Sequence, residues 1–275
     1  MSYQLFAHPF SSYSWKAMIA FHEKGLAYDL QMVEDQDVMA RLRRHWPLGK
    51  FPVLVDSDGE GGAPVIEAAD GPVGGMMQLD ADMIAHGARP AWIGYIGVDD
   101  VDATAVAIEA AGGTIHLAPR DIPGVGRFAM AADPHGAPFY VMRGSTEGGT
   151  STSYSVDGVG HCGWNELSSP DQKAALAFYL PIFAWTNPDS MPMGEMGDYR
   201  FLYAGDLRIG ASVEQKGRPA GWLHYMRVPS IAASIAAVTA GGGAILHGPH
   251  EVPGGDRIII GTDPQGAAFA LVGGQ

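Results

Sequence analysis

The chain has 275 residues, 47% of them hydrophobic and 17% charged, which excludes a disordered tail and allows two or three domains with buried cores. With 17 Lys and Arg against 30 Asp and Glu, the net charge is −13, so a nucleic-acid footprint is not expected. The cluster Arg41, Arg43 and Arg44 reads as a solvated helix face. No run is long and apolar enough for a membrane span, and the start MSYQLFAHPF lacks the pattern of a signal peptide. A single cysteine, Cys162, cannot form an internal disulfide and fits a reducing cytoplasm. The 38 glycines and 19 prolines predict many short strands joined by tight turns.

In chain order, residues 1–68 read βαβαββ. Strand SYQLFA leads to a helix over Ser12–Lys24, and strand AYDLQMV to a second helix around Met39–His45. FPVLVD and PVIEA then form a hairpin across a Gly-rich loop. Residues 69–145 hold a βαβββ unit preceded by one strand. Its first strand is WIGYIGV, its helix Val101–Ala111, and its last three strands TIHL, RFAMAA and PFYVMR. Residues 160–275 hold two more such units. The first runs through CGWNELS, a helix over Asp171–Phe183, YRFLYAG and LRIGASVE. The second runs through WLHYMRV, a helix over Ile231–Ala240, AILH, RIIIGT and AAFALV.

Two of these units are copies of one another. Laid so that Trp92 falls on Trp222, the stretch to Met142 matches the stretch to Val272 without a gap, at about 18 of about 51 positions where chance gives roughly 4 or 5. Coincidences include Tyr95/Tyr225, Pro119/Pro249, Arg127/Arg257, Asp133/Asp263 and Phe139/Phe269. An odd number of units leaves the one around 91–143 unpartnered, with a bare strand edge and apolar face. Either the N-terminal segment covers it or two chains pair there, and the expectation is a homodimer.

The paired units, their Asp-Pro-x-Gly turns and Ala177-Phe178-Tyr179 resemble the vicinal oxygen chelate superfamily, which holds glyoxalases, bleomycin-resistance proteins and extradiol dioxygenases. Trp164-Asn165-Glu166-Leu167 is similar to the first strand of its tandem, antigen-type members. The resemblance implies an α+β fold in which two units curl into a cup-shaped mixed sheet. It also implies metal-ligand positions on the first and last strands. Counted from Phe178-Tyr179, these fall on Trp164, Trp222 and its mate Trp92, and on Ala270 and its mate Tyr140, none of which ligates a cation. The cup is therefore expected to hold no metal, with Trp92, Trp164, Trp222 and Tyr140 lining a pocket for a small apolar or aromatic molecule. Glu166 and His224, on the strands of Trp164 and Trp222, form a candidate acid/base couple. His161 is expected on the face opposite Trp164, and His247 and His250 in an exposed turn.

The N-terminal segment resembles the thioredoxin-fold half of a glutathione transferase, truncated of its third helix and helical domain. The motifs are His8-Pro9-Phe10-Ser11-Ser12-Tyr13, Gly49-Lys50-Phe51-Pro52-Val53-Leu54 and Val65-Ile66-Glu67-Ala68. The resemblance implies that Ser11 activates a glutathione thiol, with Lys50, Phe51, a cis Pro52 and Glu67 in the remaining glutathione site. Ala68 replaces the serine that would hold the γ-glutamyl carboxylate. Three functions stand: a metal-free binding cup, a glutathione-dependent transferase or lyase acting on an electrophile, and a metal-dependent lyase or dioxygenase.

Overall fold

The computed structural model describes residues 3–7, 18, 22, 28–45, 53–56, 65–85, 87–145 and 151–275. It separates into two compact units, one of Met1–Ile66, Gly74–Ala88 and Thr239–Gly242, the other of Glu67–Val73, Arg89–Val238 and Gly243–Gln275.

In the first, β1 (Tyr3–Ala7) runs parallel to β2 (Tyr28–Met32) and antiparallel to β3 (Val53–Asp56), in the order β2-β1-β3. The parallel pair requires a crossover. The helix expected there, Ser12–Lys24, lies outside the described residues apart from Met18 and His22. Helix α1 (Gln36–His45) begins earlier than Met39 because Asp35 Oδ1 caps it, accepting from the backbone N–H of Asp37 at 2.7 Å. Its Val38 and Leu42 join Phe6 and Val33 in a small core.

Strand β4 (Val65–Ala68) does not take β3 as its hairpin partner, against the sequence expectation. It pairs with β5 (Gly71–Gly75), while β3 sits on β1. The turn at Ala69-Asp70, followed by Gly71 at φ +144°, closes a far shorter loop than the one between β3 and β4. Helix α2 (Ala81–Ala85) follows, capped by Asp80 Oδ1 at 2.7 Å from the N–H of Met83.

The second unit carries the repeats. Strand β6 (Tyr95–Gly97), α3 (Val101–Ala110), β7 (Thr114–Ile122), β8 (Gly126–Ala132) and β9 (Pro138–Gly144) form a four-stranded sheet, β6-β9-β8-β7. Next come β10 (Cys162–Ser169), α4 (Gln172–Phe183), β11 (Trp185–Thr186), β12 (Ser190–Pro192), β13 (Asp198–Ala204) and β14 (Leu207–Glu214). The chain ends with β15 (Gly221–Val228), α5 (Ile231–Ala240), β16 (Ala244–Glu251), β17 (Arg257–Thr262) and β18 (Ala268–Gly273). All the strands from β10 onward make one nine-stranded sheet, β11-β13-β14-β10-β15-β18-β17-β16, with β12 on β13. Its two halves meet where the first strands of the two units, β10 and β15, pair antiparallel.

The same local devices recur. Asp100, Asp171 and Ser230 cap α3, α4 and α5 by accepting from the N–H groups of Ala103, Ala174 and Ala233. In both Asp-Pro-x-Gly turns the aspartate folds back on its own loop. Asp133 Oδ1 accepts from His135 and Ala137 at 2.9 Å, and Asp263 Oδ1 from Gln265 and Ala267 at 2.9 Å. The motif is thus a turn requirement rather than a ligand site.

Helix α4 anchors a shared core. Its Phe178 and Tyr179 pack with Leu167 on one side and with Val101, Ile108, Phe139 and Val141 of the 91–144 unit on the other. Phe139 and Tyr179 have ring centroids 5.6 Å apart. One face of the unpartnered unit is thereby covered by the C-terminal domain. Its first strand remains at a sheet edge, which explains why β6 keeps only three residues while its repeat mate β15, paired on both sides, keeps eight.

Candidate functional site

Register across β10 and β15 decides which side chains can meet. Trp164 stands opposite Tyr225, Asn165 opposite His224, Glu166 opposite Leu223 and Leu167 opposite Trp222. Cross-strand partners share a face and neighbours along a strand alternate. Leu167 and Trp222 belong to the core under α4, so Asn165 and His224 share that face. Trp164, Glu166, Leu223 and Tyr225 occupy the face away from α4.

The sequence-derived couple of Glu166 and His224 is therefore divided between opposite faces of the sheet and does not form. His224 is instead buried on the α4 side, where its Nδ1 lies 2.8 Å from Asn165 Oδ1 and its Nε2 has no partner. Burial pushes its pKa down to about 4. Trp222 likewise belongs to the core: its Nε1–H donates to Tyr179 Oη at 3.0 Å, and the two rings meet edge to face at 5.3 Å. Counted back from the helix starts, Leu223 stands before α5 where Trp164 stands before α4. The open-face counterpart of Trp164 is thus Leu223, one residue from the position read off the sequence.

Glu166 is the polar centre of the open face. Tyr199 Oη–H donates to its Oε2 at 2.7 Å, and Tyr225 Oη–H to the same atom at 3.5 Å. Trp164 Nε1–H in turn donates to Tyr199 Oη at 2.9 Å. The two phenol bonds converge on one carboxyl oxygen, Oε2, and Oε1 takes neither. Burial raises the Glu166 pKa, and the two phenol hydrogen bonds only partly offset this. The Tyr225 phenol is itself held well above the usual range, first by burial and then by the adjacent Glu166 charge. Phe201 completes the wall, edge to face with Trp164 at 6.1 Å and with Tyr199 at 5.8 Å, and the Arg208 guanidinium covers the Phe201 ring at 4.4 Å. One row crosses five strands on this face: Trp164, Tyr225, Ala270, Ile260 and His247.

The remaining sequence candidates fall elsewhere. Trp92 and Tyr140 lie in the 91–144 unit. Tyr140 stacks on Tyr95 with centroids 4.6 Å apart, and Trp92 is exposed. His161 is buried, with Nδ1 2.7 Å from the Thr152 carbonyl and Nε2 2.9 Å from Asp70, while His247 and His250 are exposed on β16. Cys162 is shielded, and burial pushes its thiol up to about 11. Ser11, Lys50, Phe51 and Pro52 lie outside the described residues, and Glu67 is exposed on β4. Sequence reasoning missed Tyr199, Phe201 and Leu223. Alternation from the helix start would have found Leu223; the other two come from a strand that meets Glu166 only across β14.

The site so defined is an aromatic wall around one half-buried carboxyl on a sheet made from two βαβββ units. Comparison with known proteins finds relatives over about two thirds of the chain. The CFP32 protein of Mycobacterium tuberculosis, which carries a glyoxylase designation, is 34% identical over 189 residues, covering 68% of this chain and 71% of its own length. The anthracycline biosynthesis protein DnrV of Streptomyces peucetius is 32% identical over 194 residues, covering 68% and 67%. Among solved structures, the 2,2',3-trihydroxybiphenyl 1,2-dioxygenase of Sphingomonas wittichii strain RW1 shares 16% identity over 68% of this chain and 72% of its own, with a TM-score of 0.47. The chain belongs to the glyoxalase/dioxygenase superfamily. Residues 10–70 match a second family, the glutathione S-transferase N-terminal domain. Among the described residues, no helix is long and apolar enough to cross a membrane.

Proposed function

We propose that the open face of the β10–β18 sheet binds a small flat aromatic or apolar molecule without a metal, and that Glu166 anchors the ligand's polar group. The observation that carries this reading is the Glu166 carboxyl itself. It is half-buried among aromatic rings and bonded through one oxygen by Tyr199 and Tyr225. Its Oε1 takes neither phenol bond and can accept a hydrogen bond from a ligand, which a phenol or enol on a flat ring supplies. The anthracycline biosynthesis designation of one relative names a polycyclic aromatic chemistry, which supports this ligand class.

The donor set does not fit a divalent cation. Such an ion takes several imidazole, thiolate or carboxylate ligands, whereas the first-strand positions on this face carry an indole at Trp164 and an isobutyl group at Leu223. Among the described residues no three His, Cys, Asp or Glu side chains come together as a metal site. The metal-dependent lyase or dioxygenase reading therefore ranks below binding.

Titration with 1-naphthol, following tryptophan fluorescence, tests the proposal. Saturable quenching is expected, lost in Trp164→Phe and weakened in Glu166→Gln. Quenching that survives both substitutions, or no quenching at all, defeats it.

A second reading rests on the family match over residues 10–70. Here Ser11 activates the thiol of glutathione, with Lys50, Phe51, Pro52 and Glu67 holding the peptide, and the cup holds an electrophile. Calorimetric titration with glutathione tests it: heat at millimolar concentration that Ser11→Ala reduces supports it, and silence retires it. We propose the cytoplasm as its compartment, a reading supported by the single cysteine.

A further inference from the structure

We propose that a small monocarboxylate with a short apolar body binds at Arg257, beside the start of α5, at a site separate from the aromatic face. The two repeat copies differ there in one informative way.

In the first copy, Arg127 on β8 is locked to Asp102 in the first turn of α3. Nε lies 2.6 Å from Oδ2 and Nη2 2.8 Å from Oδ1, a two-pronged contact. Asp121 adds a third carboxylate oxygen at 3.2 Å from Nη1. The second copy keeps the arginine (Arg257), the helix (α5) and the proline (Pro249 for Pro119), but Ala232 replaces Asp102 and Glu251 replaces Asp121. Among the described residues no carboxylate lies within ion-pair distance of Arg257, although Glu251 stands directly across the strand pair. Its neighbour Asp256 is engaged by Arg227 at 2.8 Å.

A cavity of about 220 Å³ occupies the corresponding corner, lined by Ile231, Ala232, Ile235, Pro249, Arg257 and Gln275. Of these, Ala232, Pro249 and Arg257 are the repeat mates of Asp102, Pro119 and Arg127, which meet in the first copy. The first copy thus supplies in its own chain the group that the second lacks. A carboxylate from solution restores the fork-on-fork geometry, with the amide end of α5 favouring the negative charge. The aliphatic walls set the rest of the ligand: a short branched or aryl body rather than a polar one.

The probe is isovalerate, with inorganic phosphate as the comparison anion, titrated into the full chain while the Arg257 Nε–H resonance is followed by NMR. A saturable shift is expected in the unaltered chain, and calorimetric titration of isovalerate, which also reads the variants without this resonance, should show an affinity weaker by about tenfold or more in Arg257→Gln. Ala232→Asp should move the resonance to the bound position without ligand and block further change. Phosphate equalling isovalerate would mean a general anion contact and overturn the carboxylate assignment. So would a resonance already at the bound position in the free protein, since a carboxylate of this chain, such as that of Glu251, would then hold the guanidinium. Isovalerate affinity that Arg257→Gln leaves unchanged also overturns it. Arg257→Lys, which keeps the charge but not the fork, retains folding if the glutamine variant does not and should still weaken binding. None of these results bears on naphthol quenching at Trp164.

Discussion

Gly94 lies against the imidazole of His224, so closely that a methyl group on Gly94 would stand 2.7 Å from Nε2. Two units of the repeat touch here, the residue before β6 in one and the middle of β15 in the other. The contact explains both the glycine and the absence of a partner on Nε2, since the backbone of one unit covers the ring of the other. In the repeat alignment Gly94 and His224 are mates, so the two copies have diverged into a matched pair, a space and the ring that fills it.

Gly94→Ala should therefore destabilise the protein by about 1–3 kcal/mol, the range for overpacking a filled site. His224→Ala opens the space, so adding it to Gly94→Ala should cost less than the two single changes summed. Chemical denaturation of all four proteins measures the cycle. Strict additivity would mean that the two residues do not press on each other.

His224 also predicts an acid-side loss of stability. Its pKa is about 4 in the folded protein against 6.5 in the reference state, so below pH 6.5 the unfolded chain binds the extra proton. Stability should fall as pH drops from 6.5 towards 4, by about 3 kcal/mol from this residue. His224→Gln should flatten that slope in denaturation curves taken across the interval. Glu166 acts in the opposite sense. Its folded pKa is raised, so its contribution is present below pH 4.5 and is lost as pH rises through the folded value. Glu166→Gln should remove that alkaline-side decline.

The two tryptophans should separate cleanly. Trp222 is packed on Tyr179 and Trp185 in the core, so Trp222→Ala should cost about 3–5 kcal/mol. Trp164 lies on the open face, and Trp164→Ala should weaken 1-naphthol binding with a smaller loss of stability. Melting curves and titrations on the same samples decide the matter, and equal effects on both readouts would contradict the face assignment.

Tyr199 links Trp164 to Glu166. Tyr199→Phe leaves the Trp164 N–H without its acceptor and removes the shorter of two donors to the carboxyl, a cost of about 1–3 kcal/mol. The Glu166 pKa should rise further, because only Tyr225 still favours the charged form. Carbon-detected NMR titration of the side-chain carboxyl follows it directly, and a pKa that falls or stays put would contradict the hydrogen-bond assignment.

The 91–144 unit predicts an oligomer. Within this chain, first strands β10 and β15 join two units edge to edge, whereas β6 lies at a sheet edge with Tyr95 53% exposed. Two chains pairing β6 about a two-fold axis would repeat that joint. A dimer mass by light scattering is the expected result, converted to monomer by a proline at Ile96. A monomer at all concentrations argues against this pairing.

Much of this architecture was legible beforehand, because it is written in local chemistry. The helix starts follow from capping side chains at Asp100, Asp171 and Ser230, and the Asp-Pro-x-Gly turns from aspartates that bond their own loops. The duplication is a property of the sequence alone. Period-two alternation predicts which residues of one strand share a face, and it keeps Trp164 with Glu166.

What alternation does not specify is the register between two strands far apart in the chain. A shift of one residue exchanges the faces. Placing Trp222 and His224 beside Trp164 required that register to be assumed, and the β10–β15 pairing puts them on the other side of the sheet. The choice is made by burial: Trp222 fills the core under α4, which commits His224 to the same face and leaves Tyr225 to meet Glu166. Tyr199 joins them only because β13 lies next to β14 and β14 next to β10. Composition and spacing thus determined the units and their turns. The identity of the site depended on packing between units, where the free energy of filling a shared core selects one register from several that the chain permits locally.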